Sequence, residues 1–262
     1  YSTPSVPGRD LRPDETNGES LADPANPLVG KRQKIWDWRA AMNWCFGGVG
    51  TGFAITGWLA YLLGMLPGPS LANVYAGAAM LMAIGLFFVS LKIGRPLRAW
   101  RAITRPQTSW MSRELYMAPV FFPAVLAGLI WEHALAFNVA GLAATGFLVC
   151  QAKILHMAKG IPAWRARLVP WMIFATGLLE GLGLAFIGAY FWSPVLAISS
   201  AAGFGIVMVA INAFLWFSYR NAAEKEGVPP LARQAIGRIS LPLNVVGHFL
   251  PFVFFVIGWT MA

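Results

Sequence analysis

A chain of 262 residues that is 57% hydrophobic and only 12% charged, with 12 Trp and 18 Phe, carries too little charge to coat a water-soluble surface of that size. Its long apolar runs match the ~20 residues that a helix needs to cross a ~30 Å hydrocarbon layer, and they are too continuous for the alternating strands of a membrane β-barrel. The net charge of +9 is explained by membrane topology and anionic headgroups, so no nucleic-acid partner is implied.

Residues 1–38 are rich in Pro, Gly, Asp and Asn and have no apolar core that would make them a secretory signal. They read as an extended cytoplasmic arm, either disordered or ordered against a soluble partner. Residues 39–262 read as one all-α, polytopic membrane bundle, because lipid leaves no water to satisfy an open backbone. Seven spans are expected, at 40–65, 71–91, 110–130, 134–156, 169–191, 194–217 and 240–262.

The first span holds the stretch GGVGTG (47–52), which follows no strand and misses the dinucleotide-binding spacing. Its Gly48 and Gly52 form a G-x-x-x-G pair, the pattern of a close helix contact. Cys45 and Cys150 stand alone within spans, with no C-x-x-C to hold a metal, and read as packed thiols.

Between the second and third spans runs SLKIGRPLRAWRAITRPQTSWMSREL (90–115), in which six positions are Lys or Arg. Lys92 closes the second span, where its stem can snorkel to the interface. Glu114 follows Trp110 by four residues and so shares a helix face with it. A carboxylate in a first helical turn also suits the helix dipole.

Of the three histidines, His133 lies at the uncharged end, His156 ends the fourth span, and His248 lies roughly 12 Å into the seventh. A bis-histidine haem needs two at matching depth, so no haem is expected. His248 reads instead as a polar contact of Asn244, one turn earlier. Glu180 sits near the middle of the fifth span, with no charged residue within a turn. Left ionised there it needs a partner or water, so it reads as part of a proton path.

All 20 Lys and Arg residues fall in the N-terminal tail or near 92–113, 153–167 and 220–238, whereas the connections 64–73, 130–136 and 190–195 hold none. By the positive-inside rule the N-terminus and the basic loops face the cytoplasm, and seven spans put the C-terminus outside. This predicts a multi-pass protein of a prokaryotic inner membrane.

The segment Lys92-Ile93-Gly94-Arg95-Pro96-Leu97-Arg98-Ala99, followed by Ser112-Arg113-Glu114 and by IPAW (161–164), resembles the membrane-anchor subunits of dimethyl-sulfoxide-reductase-type molybdoenzymes, which overlap the polysulfide-reductase and NrfD-like anchors. Those anchors are bundles of mostly eight spans with a His-x-Gly-x-Pro-x-Arg-Ala signature and then Ser-x-Glu. Two departures stand out: the signature histidine is Lys92 here, a hydrogen-bond donor but a poor base, and the chain shows seven spans.

The resemblance implies a subunit of an oxidoreductase complex that does no catalysis alone. It would anchor a ferredoxin-like iron–sulfur subunit, which in turn meets a molybdopterin catalytic subunit, and pass electrons to membrane quinone (ubiquinone or menaquinone). It further implies a quinone pocket in which Lys92 binds a quinone oxygen, Glu114 exchanges protons, Trp110 packs on the ring and Asn43 faces them from the first span. Arg95, Arg98, Arg101, Arg105 and Arg113 would dock the iron–sulfur partner, and Glu180 would relay protons. The opening WDWRAAMNWCFGGVGTG (36–52) looks most like the anchor of phenylacetyl-CoA:acceptor oxidoreductase, with a cytoplasmic sulfite-oxidising complex as the competing reading. Two others stay open: an ion-coupled transporter with Glu180 and Asn212 at its midplane, and an anchor without quinone in which Lys92 and Glu114 simply pair.

Overall fold

A computed structural model of the chain describes residues 37–91, 104, 106–158, 161–192 and 198–260. Residues 1–36 of the arm predicted at 1–38, together with Lys92, Arg95, Arg98, Arg101 and Arg105, lie outside the described residues, and so does the Lys92–Glu114 pairing.

Within 38–260, seven helical segments are long and apolar enough to span a membrane. They are α1 (Trp38–Leu62), α2 (Gly68–Ser90), α3 (Trp110–Trp131), α4 (Ala134–His156), α5 (Val169–Trp192), α6 (Ile198–Ala222) and a last composite segment. That segment comprises α7 (Pro230–Pro242), a π-helical stretch Leu243–Phe249, and α8 (Leu250–Thr260). The described residues contain no strand, as the all-α expectation requires. The sequence-predicted last span at 240 starts too late. The helix begins ten residues earlier, where Pro229 and Pro230 occupy its first positions, which need no amide hydrogen. Arg233 and Arg238 are polar enough to hide that turn from a hydropathy reading.

The helix ends carry local signals. Ser109 caps α3, its hydroxyl accepting from the Ser112 amide at 3.3 Å. At the other end Glu132 turns the chain in a left-handed conformation (φ 48°), and His133 caps α4 by accepting from the Leu135 amide at 3.2 Å. His133 is therefore a cap at the uncharged end. Two hydroxyls of α1 are satisfied by their own helix: Thr51 Oγ1 donates to the Gly47 carbonyl at 2.6 Å and Thr56 Oγ1 to that of Gly52 at 2.9 Å.

Packing centres on α1, which lies against α2, α4 and α5. An added Cβ at Gly52 would collide with the Gly177 carbonyl, and one at Gly181 with the backbone of Gly52 and Phe53. Thus the Gly48–Gly52 pair of α1 meets a second small-x-x-x-small pair, Gly177 and Gly181 of α5, and the two backbones touch. The close contact expected of GGVGTG is present. On α2 the approach is similar: a Cβ at Gly50 would lie 2.9 Å from the Ala78 carbonyl.

Aromatic side chains close the other side of this half. Tyr75 donates to the Phe137 carbonyl at 2.7 Å, and Trp58 Nε1 to Asn138 Oδ1 at 2.9 Å. Tyr61, Tyr75, Phe121 and Phe137 pack edge to face around those bonds. The last segment is held less tightly. Along α8 the buried side chain is Phe255, which fills the space over Gly205 of α6 and meets Phe186 of α5.

Candidate functional site

Near the basic end, α1, α3 and α4 each place one polar side chain in the interior. Asn43 is buried on α1 and Gln151 is fully buried on α4. The Gln151 amide nitrogen donates to the Asn43 carbonyl at 3.3 Å. Glu114, one turn into α3, brings its carboxyl to the Gln151 side chain, and Cys150 lies nearby. Glycines make this possible. A Cβ at Gly47 would strike Gln151 Nε2, and one at Gly85 of α2 would sit 3.2 Å from the Asn43 carbonyl. The cluster is therefore close-packed.

Three acceptor atoms in this cluster have no partner among the described residues: Asn43 Oδ1, Glu114 Oε1 and Gln151 Oε1. His156 Nδ1, at the end of α4, is a fourth unsatisfied buried atom. Buried polar atoms are normally paired, and an orphan costs about 1–3 kcal/mol. Three such acceptors, drawn from three helices, share one cluster with no donor for them among the described residues.

Trp110 and Arg113 stand at the entrance to α3. The Arg113 guanidinium lies 4.1 Å over the Trp110 ring and also donates to the carbonyls of Pro106 (2.7 Å) and Gln107 (3.0 Å). Arg113, expected to dock a partner, holds the turn before α3 and the Trp110 ring within the protein. The structure thus brings Glu114 and Asn43 together, through Gln151, which the sequence reading missed. The signal was available: an amide in the otherwise apolar run FLVCQA (147–152) sits where a span should bury hydrocarbon.

Glu180 belongs elsewhere. Its carboxyl lies 3.8 Å from where a Cβ of Gly48 would stand, on a different face of α1 from the one that meets Gln151. It lines a cavity of about 640 Å³ among α5, α6 and the last segment, together with Thr176, Asn212 and His248. Asn212 spends its amide hydrogens on the carbonyls of Ala175 (3.1 Å) and Met208 (2.9 Å) and accepts from Thr176 Oγ1 (2.9 Å), clamping α5 to α6. His248 contacts Asn244 at 3.3 Å, as its spacing predicted. A further cavity of about 560 Å³, almost wholly apolar, lies between α1, α2, α5 and α6 at the uncharged end. No group of three or more His, Cys, Asp or Glu among the described residues could hold a metal.

The family model described as DMSO reductase anchor subunit (DmsC) matches residues 70–215, more than half of this protein. The C subunit of sulfite dehydrogenase from Allochromatium vinosum is 27% identical over 168 residues, covering 56% of this protein and 52% of that one. The C component of anaerobic dimethyl sulfoxide reductase from Haemophilus influenzae is 28% identical over 117 residues, covering 40% of this protein and 41% of that one. The sequence thus spans about half the length of the curated relatives it matches.

Proposed function

From the premise that this chain belongs to the DMSO reductase anchor-subunit family, we propose that it is the membrane-anchor and quinone-reactive subunit of a molybdopterin oxidoreductase complex. It would take electrons to or from a ferredoxin-like iron–sulfur subunit on the basic, cytoplasmic side and exchange them with membrane quinone. The arm at 1–38 and the arginines at 95, 98, 101 and 105 would dock that partner, on the strength of charge and resemblance.

The observation that carries the quinone reading is the set of orphaned acceptors Asn43 Oδ1, Glu114 Oε1 and Gln151 Oε1. A quinol fits it chemically, since it presents hydroxyl donors on a flat apolar ring. When bound it supplies two electrons and two protons. Glu114 accepts a proton at Oε1, the one ionisable group among the three. Gln151 and Asn43 accept hydrogen bonds and hold the head group in register with the carboxyl. Gln151 itself is oriented by its own donation to the Asn43 carbonyl. Close packing around Gly47 and Gly85 excludes bulk water, which strengthens each of these bonds. Lys92 is assigned to a quinone oxygen by resemblance, and Trp110 to the ring edge.

For the substrate of the complex two readings stand. The stretch 36–52 supports phenylacetyl-CoA, and the name of the Allochromatium relative supports sulfite. The transporter reading rests on Glu180 and Asn212, which share a cavity; Asn212, however, is occupied as a clamp between helices.

Gentle detergent purification, with metal analysis and quinone extraction, tests the assignment. An anchor brings iron, molybdenum, partner proteins and quinone, whereas a metal-free single protein refutes it. Within the purified complex, Glu114→Gln is expected to lower quinone turnover about a hundredfold and alter its pH profile, the low end of what a positioned proton acceptor contributes. Unchanged turnover with an unchanged pH profile would remove Glu114 from the site.

A further inference from the structure

The cavity holding Glu180 has a neighbour. A second cavity, of about 340 Å³, runs along α6 past Val209, Ala213 and Phe217 toward the basic end, and it is lined by Asn244 and His248. His248 lines both cavities. It stands on the π-helical stretch Leu243–Phe249, where the Leu250 amide bonds to the Val245 carbonyl five residues back. Pro251 explains the local widening, since it has no amide hydrogen to give the Gly247 carbonyl. Such π turns re-aim side chains and gather at functional positions.

A series of hydrogen bonds fixes which ring nitrogen of His248 is the base. Arg220 of α6 can only donate, and its Nη1 donates to Ser240 Oγ at 2.7 Å. Ser240 Oγ also accepts from Asn244 Nδ2 at 3.5 Å, which turns the Asn244 carbonyl oxygen toward the imidazole. That oxygen accepts, so His248 Nδ1, 3.3 Å away, carries the hydrogen. Nε2 is left as the acceptor. A guanidinium at the basic end is thus linked through Ser240 and Asn244 to a histidine near mid-span, and with the Asn244 oxygen facing the ring the hydrogen lies on Nδ1.

We propose that these two cavities form a proton-transfer site, in which the Glu180 carboxyl exchanges protons with the basic end of the bundle through Nε2 of His248, with Asn244 as the positioning residue. The groups facing the first cavity support this. Glu180 and Thr176 come from α5, Asn212 from α6 and His248 from the last segment. Cys45 of α1 lies within electrostatic reach of Glu180. The cavity is ample for several waters at ~30 Å³ each, and four polar side chains suffice to hold them. In the forward step the carboxyl O–H breaks and a proton reaches Nε2 along that water, leaving a carboxylate and an imidazolium. In the second step the Nε2–H bond breaks and that proton passes to water on the side of the second cavity, Nδ1 keeping its hydrogen on Asn244, and the reverse sequence reprotonates the carboxylate. No electron moves, and the site works without a quinone.

The test is infrared spectroscopy of the purified full-length protein on transfer into D2O. A protonated-carboxyl band that disappears in Glu180→Gln identifies the group. In the wild type that band is expected to shift as the carboxyl exchanges. His248→Gln, close in size and polar, and Asn244→Leu are each expected to slow the shift about a hundredfold. His133→Asn, which keeps the α4 cap at the far end, should leave it unchanged. Circular dichroism melts establish that each variant is folded. Exchange as fast in His248→Gln as in the wild type overturns the proposal, and so does the absence, across the accessible pH range, of any band that Glu180→Gln removes. A slowed band in His248→Gln with Asn244→Leu unaffected refutes the positioning role.

Discussion

On one flank of α1, Asn43 and Gly47 face Gln151 of α4, in a cluster closed by contacts that no side chain larger than hydrogen at Gly47 would permit. On the other flank, one residue along, Gly48 faces Glu180 of α5, and the space beyond it stays open as far as the last segment. The difference lies in what each flank packs against. Over its apolar window 56% of α1 is buried within the protein, against 6% of the last segment. Where glycines let helices approach closely, buried acceptors are cut off from water. Where a π turn and a thin contact hold the last segment off α5, polar groups share a cavity that water can fill. Tight packing suits selective binding of a donor, and loose packing suits proton exchange.

The comparison can be broken most severely at the α1–α5 contact. Gly52→Leu drives four carbons into the Gly177 carbonyl, and the expected cost is about 3 kcal/mol, the upper end of overpacking. A thermal melt in detergent followed by helical circular dichroism reads it as a large fall in midpoint. Gly203→Ala, where a Cβ meets nothing within 4 Å, serves as the control and should shift stability by less than about 0.5 kcal/mol.

Phe255→Ala probes the loose side. Phe255 is 1% exposed and is the buried anchor of α8, yet its surroundings have room to relax. The expected cost is about 2 kcal/mol, low for a deleted buried side chain. A loss equal to that of Gly52→Leu would mean that the last segment is held as firmly as α1, and the contrast would fail.

The smallest effect sharpens the tight side. Trp58→Phe removes the Nε1 bond to Asn138 and should cost about 1 kcal/mol. Adding Asn138→Leu should cost little more, because the two residues share one interaction. Additive losses in the same melt would show that Trp58 acts through packing alone.

Much of this molecule is legible in its sequence because a membrane makes the rules few. Seven apolar runs gave seven spans, since a lipid-exposed backbone has to bond within its own helix. The G-x-x-x-G pair announced a close approach, since only small residues allow one. The His248–Asn244 contact followed from helical spacing. Glu114 and Asn43 were found as polar residues in the wrong solvent.

Tertiary structure decided the rest. Composition cannot say which helix faces which, so it could not tell that Gln151, from a span 107 residues away from Trp44, would complete the acceptor cluster and take the Trp44 indole on its carbonyl at 3.4 Å. It could not tell that adjacent glycines of α1 face Gln151 of α4 and Glu180 of α5 respectively. Nor could it show that Arg113 supports its own loop, since a guanidinium's partners depend on carbonyls brought within reach by the fold. Hydropathy is a property of each residue and survives in the sequence; coordination between side chains is a property of pairs, and pairs exist only after the helices have packed.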